Sequence, residues 1–297
     1  MRAVLVTRFG GPDVLEVAEV ERPSPISTEV LVRVVAAGVN PVDCKTRRGD
    51  GVARWVGPPP FIIGWDVCGV VEAMGYGVTR FAVGDLVFGM PRFPRAAGAY
   101  AEYVTAPSRQ FARVPKATSP IEAAALPLAF LTAWQCLIET AQIRKGQTVL
   151  IHGATGGVGH LAVQIAKAHG ARVIATTGRN DREALQAREV DAALDLVGGD
   201  DIQLLLDTLR SGGLLLEVAG YPSDELKAAA KERSVRVLEP LVEPDGHALE
   251  QIAKLVDSGD LKVIIDEVFP LERAVAAHER LERGGVRGKL VLEVGHD

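Results

Sequence analysis

Three features of the 297-residue chain predict an α/β protein in which a doubly wound parallel sheet accompanies a compact β-barrel. A strand, a glycine turn, a helix and a second strand follow one another from Val149 to Arg179. The first 117 residues carry short apolar or alternating runs split by Gly, Pro, Asn and Asp. Strand-like sequence returns after Gly259.

In order, Arg2–Thr7, Val14–Val20, Glu29–Ala37, Val67–Ala73, Asp85–Phe88 and Tyr100–Thr105 read as strands. Gly10-Gly11-Pro12, Pro23–Pro25, Gly57–Pro60 and Gly84-Asp85 punctuate them, a spacing that suits a barrel better than βαβ units. Alanine-rich helical sequence begins at Ala117–Ile121. Thr148–Ile151 is then a short apolar strand, and Val158, Leu161, Ala162, Ile165 and Ala166 recur at helical spacing. Gly170 suits the helix C-terminus and Arg172–Thr177 forms a second strand. Parallel strands joined by a crossover helix make a mononucleotide-binding unit. The alternation continues through Ala192–Val197, Leu204–Leu209, Leu214–Ala219 and Val235–Leu238, and a helix His247–Asp257 closes this part. Strands Leu261–Ile265 and Glu267–Phe269, a helix Leu271–Arg283 and a strand Lys289–Val294 finish the chain. The economical arrangement returns this tail to the barrel. The expected division is therefore 1–118, 119–257 and 258–297.

Composition narrows the function classes. Hydrophobic residues make up 47% and charged residues 24%, as in soluble globular proteins. A net charge of −5 without a basic block argues against nucleic acid or an anionic membrane as partner. Cys44, Cys68 and Cys136 are scattered and odd in number, which points to a reducing cytoplasm rather than a disulfide framework. The most apolar window, Ala123–Ile138, contains Pro127 and is too short to span a bilayer.

The turn after the first parallel strand carries the chemistry. In Ala154-Thr155-Gly156-Gly157-Val158-Gly159, Ala154 takes the first position of the dinucleotide fingerprint G-x-G-x-x-G, and Gly156 and Gly159 take the second and third. Gly156 allows backbone to approach a pyrophosphate, Gly159 allows the helix to lie close to the strand, and the helix N-terminus offers N–H groups and positive dipole. An NAD site would place an acid at the end of the second strand for the ribose 2′-hydroxyl. Here Thr176-Thr177-Gly178-Arg179-Asn180 has no acid before Asp181, and Arg179 can hold a 2′-phosphate through paired N–H donors. NADP is the expected cofactor.

Several separate stretches then carry a family resemblance. Gly38-Val39-Asn40-Pro41-Val42-Asp43, Phe61–Gly69 (FIIGWDVCG), Val83–Phe88 (VGDLVF) and Gly98–Tyr103 (GAYAEY) come first. Leu126-Pro127-Leu128, Leu131-Thr132-Ala133-Trp134, the turn at 154–159, Leu196–Gly199 (LVGG) and Gly288–Leu292 (GKLVL) follow in the same order. With these motifs the chain resembles the zinc-independent quinone oxidoreductases of the medium-chain dehydrogenase/reductase superfamily, the zeta-crystallin group.

The resemblance implies a GroES-like catalytic domain and a Rossmann domain, with NADPH between them, in a homodimer that reduces a quinone or other electron-poor enone. Zinc-dependent relatives place a cysteine ligand where Asn40 lies and a His-Glu pair where Trp65-Asp66 lies, so no catalytic zinc is expected. By resemblance Asn40 is the catalytic residue, facing nicotinamide and substrate with an amide that can donate to a carbonyl oxygen, and Thr132 contacts the nicotinamide side. The turn residues Ala154 to Gly159, together with Thr177, Arg179, Val218 and Gly220, complete the expected cofactor contacts. Asp43, Arg47 and Arg48 would lie near the mouth, either as polar lining or as a solvated loop. Asp66, Trp65, Tyr100 and Tyr103 read as scaffold, and the cysteines as buried filler.

One departure from the family pattern stands out. Only Asn180–Asp191 connects the region of Arg179 to the strand Ala192–Val197, where relatives place a further strand. The sheet is therefore expected to be one strand short, with the adenine end more open and NADPH held more weakly. Two alternatives to the quinone or enone reductase stay open: an enoyl-thioester reductase of the same superfamily, and a non-enzymatic NADPH-binding protein resembling a crystallin.

Overall fold

The computed structural model describes residues 1–177 and 184–295. The chain begins with β1 (Arg2–Val6), β2 (Leu15–Glu19) and β3 (Glu29–Val39), followed by α1 (Pro41–Arg47) and α2 (Ala53–Val56). Next come β4 (Phe61–Ile62), β5 (Asp66–Met74), β6 (Leu86–Gly89), β7 (Tyr103–Pro107) and β8 (Phe111–Arg113), then α3 (Pro120–Ala124) and α4 (Pro127–Trp134). The middle of the chain holds β9 (Thr148–His152), α5 (Gly159–Ala168), β10 (Arg172–Thr176), β11 (Val190–Asp195), α6 (Ile202–Thr208), β12 (Leu209–Glu217), α7 (Asp224–Glu232) and β13 (Arg236–Leu238). It ends with α8 (Gly246–Asp257), β14 (Ile265–Pro270), α9 (Ala274–Glu282) and β15 (Lys289–Glu293). Two compact units result, one of Met1–Leu131 with Glu243–Asp297 and the other of Thr132–Val242.

The first unit is built on β3, whose near-continuous apolar run is explained by burial of both its faces, and which has strand partners on both edges. A larger sheet runs β14-β15-β3-β5-β6-β8, with β7 also paired to β3, and a smaller one runs β2-β1-β4. The tail rejoins the N-terminal strands because β15 pairs antiparallel with β3, Leu290 opposite Val39. The strand expected from Leu261 starts only at Ile265, since the Leu261 N–H closes the end of α8 on Leu255 O at 3.0 Å. Helix α8 itself lies in this unit rather than with the parallel sheet. Its first residue, Gly246, comes so close to the backbone of β8 and the turn before it that a Cβ would stand 2.4 Å from Arg109 O and 2.5 Å from Phe111 O. Arg80 reaches Glu250 at 2.7 Å, and Asp257 accepts from Ala117 N at 3.1 Å. These contacts across 130 or more residues are invisible to local periodicity.

The second unit is a parallel sheet in the order β10-β9-β11-β12-β13. The doubly wound pattern for six strands is 3-2-1-4-5-6. Here β10 takes the place of strand 2, and among the described residues no strand lies beyond it, so the sheet has five. The shortened connection still serves the core. Leu185, in the 3-10 turn Ala184–Gln186, is buried with Leu150, Val190, Leu205, Leu206 and Leu215. No helix among the described residues is long and apolar enough to cross a membrane.

Candidate active site

The glycine turn is shaped by two different demands. Gly153, directly after β9, has φ +88, a left-handed conformation that L side chains rarely adopt. The tight turn is thus made one residue before Ala154, which explains why alanine is tolerated at the first fingerprint position; the Ala154 N–H is free to bond Thr176 O at 2.8 Å. At Gly159 a Cβ would lie 2.1 Å from Gly153 O, so glycine is required by helix–strand packing. At Gly156 a Cβ would meet only Gly153 O at 3.5 Å, an ordinary contact. The protein leaves that side of Gly156 open.

Helix α5 starts at Gly159 and runs ten residues. Among the described residues no acceptor is found for the N–H groups of Gly157 and Val158, which stand with the helix N-terminus as donors for an anion. The cradle fits a pyrophosphate in donor chemistry and in space. Ala154, Gly156, Gly157 and Val158 are half-buried and Thr155 is exposed. Val218 and Gly220, just past β12, and Thr177, just past β10, belong to the same unit. Thr132, 5% exposed on α4, begins that unit, whereas Asn40 lies in the other. Arg179, assigned to the 2′-phosphate, lies outside the described residues.

In the first unit Asn40 directly follows β3 and caps α1. Pro41 occupies the first helical position, where its missing N–H costs nothing, and Asp43 Oδ2 accepts from Asn40 N at 2.6 Å. The Asn40 side chain is almost fully enclosed, 1% exposed. Lys289 Nζ donates to Asn40 Oδ1, and because an ammonium can only donate, this contact decides the orientation of the amide. Asn40 Nδ2 then donates to Asp66 Oδ2 at 2.8 Å, leaving its second hydrogen uncommitted among the described residues. Lys289 also lies 3.3 Å from Asp66 Oδ2, and Asp66 Oδ1 accepts from Leu128 N at 2.7 Å. Burial raises the Asp66 carboxyl above its usual range, and Lys289 is the largest influence in the other direction.

A second buried chain starts at Asp43. Tyr100 donates its hydroxyl to Asp43 Oδ2 at 2.9 Å, and its oxygen lies 3.3 Å from His278 Nε2. Arg47 Nη1 lies 3.1 Å from His278 Nδ1. Arginine has no acceptor, so Nδ1 accepts, Nε2 carries the hydrogen, and the bonds run Arg47 to His278 to Tyr100 to Asp43. Burial, followed by the charges of Arg47 and Arg48, pushes His278 down to about 3, and burial pushes Asp43 up to about 7. Arg47 continues to Glu282, which also pairs with Arg48 at 2.9 Å.

This excludes the solvated-loop alternative for Asp43 and Arg47. Asp43 and Arg47 sit on α1 with both side chains fully buried, while Arg48 alone is half exposed. The reason is that α9, from the far end of the chain, packs against α1 and brings His278 and Glu282 onto Arg47. Trp65 is scaffold, its ring N–H donating to Arg95 O at 2.7 Å and its ring lying T-shaped to Phe93 with centroids 5.5 Å apart. Asp66, in contrast, bonds Asn40 directly. Lys289 was visible only as part of the Gly288–Leu292 motif, and Gly153 as a glycine closing a strand.

The segment 27–116 matches the family described as alcohol dehydrogenase GroES-like domain, and 169–292 the family described as zinc-binding dehydrogenase. The quinone oxidoreductases of Rattus norvegicus and Homo sapiens are each 32% identical, over 98% of this chain and 97% of their own length. The chain belongs to the quinone oxidoreductase family of the medium-chain dehydrogenases/reductases. The structure of the quinone oxidoreductase of Coxiella burnetii is similar with a TM-score of 0.90 and 35% identity, covering 99% of both chains. A mycobacterial protein solved with NADPH is similar at 0.87 and 30%, over 99% of this chain and 100% of its own. As a member of the quinone oxidoreductase family, this chain is an oxidoreductase built to use a nicotinamide cofactor. Among the described residues no group of three or more His, Cys, Asp or Glu side chains could hold a metal ion.

Proposed function

We propose that this protein is a zinc-independent oxidoreductase that reduces a quinone or other electron-poor enone with NADPH. The observation that carries the reading is the open side of Gly156 beside the N-terminus of α5, in a chain whose relatives are quinone oxidoreductases. Backbone N–H groups of the turn would hold the pyrophosphate and Arg179 the 2′-phosphate, with Thr132, Thr177, Val218 and Gly220 along the remainder. Bound there, the reduced dinucleotide supplies the hydride.

The second N–H of Asn40 is the donor offered to the acceptor's oxygen, and one such pre-aligned donor contributes roughly 10²–10³ in rate. Lys289 and Asp66 hold that amide so that its nitrogen cannot exchange places with its oxygen. Zinc has no place in this arrangement. The Asn40 amide oxygen is occupied by the Lys289 ammonium, and Trp65 offers a donor rather than a lone pair. Residues 1–131 and 243–297 would form the catalytic part and 132–242 the cofactor part of a homodimer in the cytoplasm. The free, buried cysteines and a net charge of −5 support a reducing compartment and no nucleic-acid or membrane partner.

The test is titration calorimetry with NADPH and with NADH, followed by loss of reduced-nicotinamide absorbance with quinones, enones and enoyl thioesters. Turnover of quinones or enones is expected, with NADPH preferred but held more weakly than a six-stranded sheet would allow. Binding without turnover of any acceptor refutes the enzyme reading, equal binding of both dinucleotides removes the role of Arg179, and tight NADPH binding refutes the weakened site.

A further inference from the structure

The carboxyl ends of the parallel sheet carry a row of polar residues that the glycine turn and the family motifs leave unexplained. Strand register places Thr176, His152, Asp195 and Glu217 side by side on β10, β9, β11 and β12, each the last residue of its strand. Register partners in a parallel sheet point to one face, so the four side chains form a line. Three are fully buried and Glu217 is 5% exposed.

The row is only partly satisfied. His152 Nδ1 bonds Thr176 Oγ1 at 2.7 Å, but its Nε2 stands 3.8 Å from Asp201 Oδ2, and neither of these two atoms has a hydrogen-bond partner among the described residues. Asp195 Oδ1 accepts from the N–H groups of Val197 and Gly198 at 2.9 and 3.0 Å. Asp195 Oδ2 and Glu217 Oε2 are buried without a donor, and no cation among the described residues pairs with either acid. A buried acceptor left unpaired costs about 1–3 kcal/mol, more when charged. Burial, then Asp195 and Glu239, hold the Glu217 carboxyl above its usual range.

The position of the pair gives this cost a purpose. Strand order reverses between β9 and β11, and a dinucleotide lies across that switch point outside the carboxyl ends. The glycine turn after β9 takes the adenosine side, which leaves β11 and β12 to the nicotinamide side. Gly220 makes room for the acid, since a Cβ there would stand 2.9 Å from Glu217 Oε1.

We propose that Asp195 and Glu217 form a charge-selective subsite for the nicotinamide half of the cofactor, favouring its oxidised, positively charged ring over the reduced, neutral one. The inference rests on the nicotinamide-dependent reading above. Negative charge placed where positive charge develops on hydride loss assists the transfer and retains the oxidised product.

Titration calorimetry of NADP+ and NADPH against the wild type, Glu217→Gln and Asp195→Asn tests it. Both variants keep the side-chain shape, and Asn at 195 keeps the oxygen that caps the following turn. Each variant is expected to bind NADP+ about tenfold more weakly, the effect of one charge acting across several ångströms of protein, with NADPH affinity nearly unchanged. An unchanged affinity ratio in both variants overturns the subsite while leaving the cofactor reading intact. A wild type that binds neither dinucleotide overturns both.

Discussion

Replacing Lys289 with methionine isolates the charge that orients Asn40. Lys289 is 3% exposed and Asp66 fully buried, so methionine fills the same volume and leaves a carboxylate enclosed with two amide donors, Asn40 Nδ2 at 2.8 Å and Leu128 N at 2.7 Å. Removing one partner of a buried ion pair costs about 3–5 kcal/mol. The two surviving donors and uptake of a proton by Asp66 place the expected loss near the lower end, about 3 kcal/mol at slightly alkaline pH. Asp66 already has a raised pKa, and loss of Lys289 raises it further. An acid whose folded pKa exceeds its unfolded value binds protons more strongly when folded, so stability falls as pH rises through the interval between the two. The deficit of the variant should therefore shrink in mild acid. Urea unfolding in a Trp134→Phe background reads this, because fluorescence then reports Trp55 and Trp65 of the first unit. The double variant with Asp66→Asn should recover most of the loss, since no unpaired charge remains. A deficit below about 1 kcal/mol, or one that grows in acid, would refute the reasoning.

Other expectations follow from the same geometry. Gly156→Ala should keep the melting temperature of the wild type while weakening NADPH binding at least about tenfold, as its new methyl occupies the phosphate approach. Gly159→Ala, with its methyl driven against Gly153 O, should lose about 1–3 kcal/mol or more in thermal unfolding. For Asp43, raised to about 7, the wild type should lose stability as pH rises from about 4 to about 7, by on the order of 4 kcal/mol at most. Asp43→Asn keeps an acceptor for Asn40 N and Tyr100 and should flatten that slope; an unaltered midpoint-versus-pH curve would exclude Asp43 as its source. Cys44, Cys68 and Cys136 are buried, and burial pushes the thiols of Cys68 and Cys136 up to about 12. A thiol-reactive chromogen should therefore find no reactive cysteine in native protein and three in denaturant.

The sequence by itself determined the parts whose physics is local. Turn glycines, helical spacing from Val158 to Ala166 and β-branched runs depend on neighbours a few residues away, so the βαβ unit and the short N-terminal strands were legible. The short link after Arg179 likewise implied a missing strand, since length alone limits what a connection can hold. Tertiary structure decided the polar chemistry. Lys289, Asn40 and Asp66 meet because β15 and β5 flank β3, and Thr176, His152, Asp195 and Glu217 align because four parallel strands share a register. Each looked like an isolated polar residue in the chain. A buried charge takes its meaning from the groups within a few ångströms of it, and here strand pairing brings those groups together from opposite ends of the sequence.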